Sequence, residues 1–304
     1  MKETAVPDAK RPSSGDTLVG FGFALGAYVM WGFLPLYMKL VSHVPPAEVV
    51  AHRVIWSLPI AGALLVLLGR TRDVRAAIFS PRTLAMGCVS AALITVNWGL
   101  YVWAIATDRA LDAALGYYIN PLFSVALGAI LLGERLTRAQ IVAVGLAAAA
   151  VSYLAYQNGA VPWVAIGLTV SWGFYALCKK QLPIGPNQGF LLEVLILIVP
   201  ALGYVIWLAT QGNSHFTFTA KPDTWLLMGC GVVTAVPLLF YANGAKGLRL
   251  TTIAIMQYIA PTMIALCAVV VFKEDFGTAR MIAFPMIWAA LLIYSVSMFR
   301  QMRR

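Results

Sequence analysis

Long apolar stretches separated by short polar breaks dominate the chain from about residue 17 onward. A helix needs about 20 mostly apolar residues to cross a bilayer, and each stretch reaches about that length. The breaks carry turn residues or charges, as in Val44-Pro-Pro46 and Gly69-Arg-Thr-Arg72. The pattern predicts ten spanning helices, at 18–41, 46–69, 83–106, 111–133, 138–156, 160–179, 188–210, 223–246, 250–272 and 278–299.

A repeat relates the first five predicted spans to the last five. Tyr118-Ile-Asn-Pro121 recurs 140 positions later as Tyr258-Ile-Ala-Pro261, and Glu134 recurs at the same offset as Glu274. Trp31-Gly-Phe33 likewise recurs as Trp172-Gly-Phe174, one position beyond that offset. The chain is therefore predicted to form two five-helix repeats, 17–156 and 160–299. A disordered polar tail at 1–16 and a short tail at 300–304 flank them.

An odd number of spans means that the second repeat enters the membrane from the opposite side. The predicted fold class is an all-α integral membrane protein whose two five-helix repeats are inverted. A pseudo-two-fold axis in the membrane plane would relate them. Inverted repeats are typical of secondary transporters, which bind substrate near mid-membrane between the repeats.

Composition supports the membrane assignment and excludes a soluble domain. Hydrophobic residues make up 61% of the chain, charged residues only 11%, and the mean hydropathy is +0.81. The net charge of +10 is no nucleic-acid signal, since no basic run interleaved with aromatics occurs. Most Lys and Arg residues fall at breaks on one side, so the positive-inside rule predicts both termini in the cytoplasm of an inner-membrane protein.

Two prolines are predicted to kink their helices inside the membrane. Pro121 lies about ten residues into its span, about 15 Å deep, and cannot donate a hydrogen bond to the carbonyl of Tyr117. Pro261 has the same relation to Gln257. A freed carbonyl is costly in hydrocarbon unless it faces protein or a wet cavity. The prediction is a pair of kinked, cavity-lining helices that rock, with a static packing kink as the alternative. Pro237 in the eighth span is a third candidate.

Polar and aromatic side chains in these spans are candidate substrate-cavity residues. Asn97 and Tyr101 are four residues apart and share a helix face. An asparagine amide in mid-membrane either bonds another helix or faces a cavity. For the tryptophans the alternatives are packing and the interfacial aromatic belt. The predicted cavity residues are Trp31, Asn97, Tyr101, Tyr118, Asn120, Trp172, Tyr241, Asn243, Gln257 and Tyr258.

Three ionisable residues lie inside predicted spans: His52, Arg53 and Glu193. Such residues indicate function by default, here a gate, a contact with substrate charge or a proton step. Arg53 and Glu193 are also related by the offset of the repeat, and inversion would put them on opposite sides, so we do not expect them to pair. The alternatives are snorkelling to the headgroups for Arg53 and Glu193, and a structural role for His52. Glu134 and Glu274 are expected to fix helix ends.

Several chemical signatures are absent from the sequence. It contains no Walker A motif, no HExxH or GxSxG and no Cys/His metal cluster. We therefore expect no cofactor, no metal and no ATPase partner. An intramembrane lipid-modifying enzyme, the alternative from another class, would need a polar catalytic cluster near one interface, and none is seen.

These features together resemble the drug/metabolite transporter superfamily, in its EamA family near the RarD-like branch. The resemblance covers about 17–299 and rests on the repeated motifs together with Gly133-Glu-Arg-Leu136 after the fourth span. The second copy departs from the pattern with Lys273-Glu-Asp275.

The resemblance implies a ten-helix inner-membrane exporter of amino acids or related metabolites and drugs. Tyrosines and tryptophans suit an aromatic or apolar side chain, and amides suit amino and carboxylate groups. We expect export of such amino acids by alternating access, with a multidrug or nucleotide-conjugate transporter as the runner-up. Proton antiport and facilitated diffusion both remain open, as do a monomer and a homodimer. The expected partners are a small-molecule substrate and membrane lipid.

Overall fold

The computed structural model describes residues 16–133, 135–217 and 221–302, and this part of the chain contains helices and connections but no strand. The predicted all-helical fold is confirmed. Most of the expected tail 1–16 and the candidate Glu134 lie outside the described residues. In chain order the elements are α1 (Leu18–Leu40), α2 (Pro46–Leu67), α3 (Thr71–Ile78), α4 (Pro81–Ala106), α5 (Ala110–Leu132), α6 (Arg138–Asn158), α7 (Trp163–Gln181), α8 (Pro186–Thr210), α9 (Pro222–Lys246), α10 (Leu250–Met256), α11 (Ile259–Leu266), a π-helical segment (Cys267–Val271) and α12 (Gly277–Met302).

Nine segments of the described chain are long and apolar enough to cross a membrane. The one remaining expected span, the sixth in chain order, corresponds to α7, which has 19 residues and ends in Lys179-Lys-Gln181. These polar residues reduce its apolar character. Large side chains such as Leu67 and Ile130 are 84% and 77% exposed, as expected of surfaces that face lipid. The order of the spans therefore agrees with the sequence prediction, with end points shifted by a few residues.

Helix α3 was not predicted, since the sequence suggested only a charged break there. It is eight residues long and strongly amphipathic, with Val74 and Ala77 buried. It packs against α4 and α8, and its Asp73 accepts a hydrogen bond of 3.1 Å from the side chain of Gln188. A helix this short has too few apolar residues to register as a span, so a search for long apolar runs misses it.

The two proline motifs, both predicted to kink their helices, differ in structure. The ninth span is interrupted at Gln257 and Tyr258, between α10 and α11, and ends in the π-helical segment. Pro121, in contrast, lies inside the continuous helix α5, and Pro237 lies inside the continuous helix α9. A proline removes one helical hydrogen bond in each case. Only before Pro261 does the loss coincide with a break.

Helices that are equivalent in the two sequence repeats make equivalent packing contacts. Helix α1 packs on α9 as α4 packs on α7, α5 packs on α7 as α11 packs on α1, and α2 packs on α9 as α8 packs on α4. Helices α2 and α8 pack on each other, as do α6 and α12. This exchange of equivalent contacts is what two inverted repeats produce. It leaves a central space between α1, α4, α5, α7, α9 and α11.

Candidate functional site

A cavity of about 190 Å³ occupies this central space. Eight of its eighteen lining residues are aromatic and one is an arginine, and no Asp or Glu of the described chain lines it. The lining residues are Tyr28, Trp31, Leu34, Arg53, Ile94, Asn97, Trp98, Tyr101, Tyr117, Asn120, Trp172, Tyr175, Thr234, Leu238, Tyr241, Gln257, Ala260 and Ile264.

Helical periodicity explains which positions reach the cavity. On α4 the lining residues follow the spacing i, i+3, i+4 and i+7, which keeps them on one face. On α9 they follow i, i+4 and i+7, and Pro237 lies just off this face. Eight residues singled out from the sequence meet here: Trp31, Arg53, Asn97, Tyr101, Asn120, Trp172, Tyr241 and Gln257.

Asn97 joins the two repeats inside the wall and is only 1% exposed. Its amide nitrogen donates to the carbonyl of Leu168 at 3.1 Å and to the hydroxyl of Ser171 at 3.0 Å. Its amide oxygen accepts from the hydroxyl of Tyr117 at 3.3 Å. Asn97 therefore holds α4 to α7 and α5, and its amide groups are largely occupied by protein partners.

Two uncharged polar groups of the wall have no hydrogen-bond partner among the described residues. The side-chain oxygen of Asn120 and the hydroxyl of Tyr101 are buried, and neither has a hydrogen-bond partner within the described residues. Both residues line the cavity. Because buried polar groups normally find a partner, these two are available to a bound solute.

Aromatic rings form two groups in the cavity wall, one on α1 and α9 and the other on α5 and α7. Trp31 lies against Tyr28 and Tyr241, with ring centroids 5.7 and 5.6 Å away. Trp172 lies against Tyr175 and Tyr117, with centroids 5.6 and 6.4 Å away. Each repeat thus contributes one tryptophan at the equivalent position, and an apolar or aromatic group bound in the cavity meets aromatic rings from both repeats.

Three residues expected in the cavity lie elsewhere. Tyr118 shares its hydroxyl with Thr262 at 2.7 Å and packs towards α12, because one helical step turns it away from the face of Tyr117. Tyr258 also lies on the α12 side, in a surface groove with Ser295. The amide nitrogen of Asn243 donates to the carbonyl of Leu239, four residues earlier in its own helix, at 2.9 Å.

The candidate ionisable residues have separate environments. His52 accepts a hydrogen bond of 3.2 Å from the Trp56 indole and stacks on Phe216. Glu193 lies 3.1 Å from the ammonium group of Lys179 and accepts a hydrogen bond of 3.2 Å from Tyr175. Arg53 and Glu193 do not contact each other, and of the three candidates only Arg53 lines the cavity.

One end of the cavity is fixed by contacts that sequence reasoning missed. The carboxylate of Glu274 accepts hydrogen bonds from the backbone amides of Ala110 and Leu111, at 2.7 and 2.9 Å. The carboxylate of Asp112, in the first turn of the same helix, forms a salt bridge of 2.8 Å with Arg280. Glu274 does fix a helix end, but that end belongs to α5 in the other repeat. We call this region the Glu274 end of the cavity.

Two inverted bundles around a central cavity are typical of a multi-pass membrane transporter. The sequence model of the EamA-like transporter family matches residues 18–156 and 161–296, and the chain belongs to this family. Its repeats and its membrane setting follow from that membership.

Known relatives agree with this assignment over nearly the whole chain. Protein RarD of Streptomyces exfoliatus is 41% identical, over 94% of this chain and 90% of the relative. Protein RarD of Escherichia coli strain K12 is 38% identical, over 98% of this chain and 99% of the relative. A solved crystal structure shares the fold, with a TM-score of 0.58 and 20% identity, over 91% of this chain and 96% of that one.

Proposed function

We propose that the protein is a secondary exporter of amino acids, with aromatic and other apolar side chains favoured, and that it works by alternating access. The observation that carries the proposal is the central cavity, whose wall combines aromatic rings with a free amide oxygen and a free hydroxyl. Rings accept an apolar side chain, and the free polar groups accept the backbone groups of an amino acid.

The size of the cavity favours a small solute over a drug. Pockets that bury drug-sized ligands span roughly 300–1,000 Å³, whereas this cavity holds about 190 Å³. The multidrug alternative would require a wider cavity in another conformation. The predicted orientation, with both termini in the cytoplasm, places the Glu274 end towards the outside of the cell.

Reconstitution in liposomes tests the proposal. Vesicles loaded with unlabelled phenylalanine, tyrosine or leucine should accumulate the labelled amino acid by counterflow. Absence of counterflow for every amino acid would refute export of amino acids. Counterflow that requires a pH gradient would exclude simple facilitated diffusion and indicate proton coupling.

A matched pair of tryptophan variants tests the location of the site. Trp31→Ala removes a ring from the cavity wall and should reduce counterflow strongly. Trp207→Ala is the control, because Trp207 is 54% exposed and lies outside the cavity. Equal loss in both variants would show that the cavity is not the substrate site.

A further inference from the structure

Arg53 presents a positive charge to the central cavity. It lies on α2 and is 3% exposed. Its Nε donates to the hydroxyl of Thr234 on α9 at 2.9 Å, and its guanidinium carbon lies 4.6 Å from the ring centre of Trp98. Its Nη1 has no hydrogen-bond partner among the residues that the structure describes. The charge is therefore held at two points, with a donor nitrogen left over.

The equivalent position in the second repeat is treated differently. Glu193, which the offset of the repeat pairs with Arg53, is also buried, but Lys179 neutralises it at 3.1 Å. No carboxylate of the described chain lines the cavity beside Arg53. A buried charge is costly unless an opposite charge accompanies it. One of the two equivalent charges is thus compensated by the protein, and the other is left for a ligand.

The groups around Arg53 suit an oxyanion. Tyr101 lines the same cavity as Arg53, and its hydroxyl has no partner in the described part of the chain. A guanidinium presents its donors in a planar fork that matches a carboxylate, and a tyrosine hydroxyl can add one more donor. Thr234 occupies Nε, which fixes the direction in which the other nitrogens point.

We propose that Arg53, together with the hydroxyl of Tyr101, binds the carboxylate of the substrate, and that the substrate's amino group has no charged partner. The amide oxygen of Asn120 and the aromatic faces are the groups left to receive that amine. The inference rests on the proposed function, since it takes the central cavity to be the substrate site. It makes the carboxylate the group that selects ligands and makes the amine dispensable.

Four related compounds separate these requirements. Phenylalanine carries both groups, 3-phenylpropanoate only the carboxylate, and phenylalaninamide and phenethylamine only the amine. Binding is measured on the purified protein in detergent, by thermal shift and by quenching of tryptophan fluorescence. Phenylalanine and 3-phenylpropanoate should bind, and the two compounds without a carboxylate should bind at least about tenfold more weakly, as expected when a bond to a charged group is lost.

Variants of Arg53 separate recognition from structure. Arg53→Gln should weaken binding of both carboxylates about ten- to hundredfold. The melting temperature of the empty protein should stay equal or rise, because a buried unpaired charge is removed. Arg53→Lys keeps the charge without the fork and should fall between. Thr234→Val, which frees Nε, is the second variant should Arg53→Gln not fold. Arg70→Gln, at an exposed loop position, is the control.

The outcomes distinguish this inference from the proposed function. Equal binding of phenylalanine and phenylalaninamide would overturn the inference even in a working amino-acid exporter. Carboxylate binding that Arg53→Gln leaves unchanged would overturn it as well, as would absence of binding by either carboxylate. Arg53-dependent binding of 3-phenylpropanoate without amino-acid counterflow would refute the proposed function and support the inference.

Discussion

Replacing Glu274 with alanine removes two hydrogen bonds that join the repeats at one end of the cavity. The carboxylate contacts the first two amides of α5, where the helix dipole also favours a negative charge. Helix α5 packs against α11 and the π-helical segment, on the Glu274 side, whereas α10 packs on α1 and α12. The central cavity is therefore closed at the Glu274 end, and the two hydrogen bonds of Glu274 stabilise the closed state.

The expected magnitude follows from these two bonds. A bond to a charged group contributes about 1.5–3 kcal/mol in soluble proteins, and interhelical bonds in membranes average about 0.6 kcal/mol. Two bonds of intermediate strength give about 2 kcal/mol in favour of the state that is closed at the Glu274 end. Their loss changes the ratio of closed to open protein about 30-fold. Glu274→Gln keeps an acceptor but loses the charge, so about half the energy and about a fivefold change are expected.

Accessibility of a single cysteine measures this shift. Ile264→Cys, at a cavity position that is 2% exposed, is introduced after the four native cysteines are replaced. A membrane-impermeant thiol reagent added outside should label it up to about 30-fold faster with Glu274→Ala. Asp275→Ala is the control, since that carboxylate bonds Gly277 within its own turn. Unchanged labelling together with a lowered melting temperature would refute the reasoning, because Glu274 would then hold the same contacts in every state.

The remaining predictions concern single side chains. Asn97→Leu removes three hydrogen bonds, so it should lower stability by roughly 2 kcal/mol and abolish most counterflow. The control Cys178→Ala should retain both stability and counterflow. Equal transport in the two variants would remove Asn97 from the site. Tyr118→Phe should lower stability by about 0.5–1.5 kcal/mol without changing the apparent affinity for substrate, because Tyr118 lies outside the cavity; a changed affinity would contradict this placement. The backbone amide of Arg249 and the hydroxyl of Thr252 hold the pKa of Asp16 below its ordinary value. The bonds of Asp16 are therefore complete above about pH 4 and are lost as the pH falls further. The protection of the amides at the start of α10 against exchange, measured relative to their intrinsic rates, should fall in that range, and Asp16→Asn should abolish this pH dependence of the protection.

The sequence predicts the spans well because each depends on a local run of apolar residues. The structure also contains a capping box of Thr137 and Gln140 at the start of α6, and this motif is a local pattern of residues three positions apart. Helix α3 was missed because an eight-residue amphipathic helix has no long apolar run. The different behaviour of Pro121 and Pro261 was missed because both lose the same hydrogen bond, and their surroundings decide the rest.

The sequence predicts which stretches of helix lie near the cavity, but not which face of each helix points into it. Tyr117 and Tyr118 are neighbours of the same type, and only the rotation of α5 decides which one faces the cavity. Periodicity gives the spacing of a face but not its direction. The carboxylate of Glu274 bonds the start of a helix in the other repeat, and no local pattern indicates such a distant partner.

The uncompensated charge of Arg53 would make transport sensitive to membrane voltage. A bound monoanion cancels this charge, whereas a zwitterionic amino acid leaves it in place. Moving one elementary charge across the membrane involves roughly 2.3 kcal/mol per 100 mV. In a cell with a negative interior, the empty cavity is drawn to face inwards, while the cavity holding a monoanion is not. The voltage alone would then drive export of monoanions, without a proton, and would leave export of zwitterions to their concentration gradient.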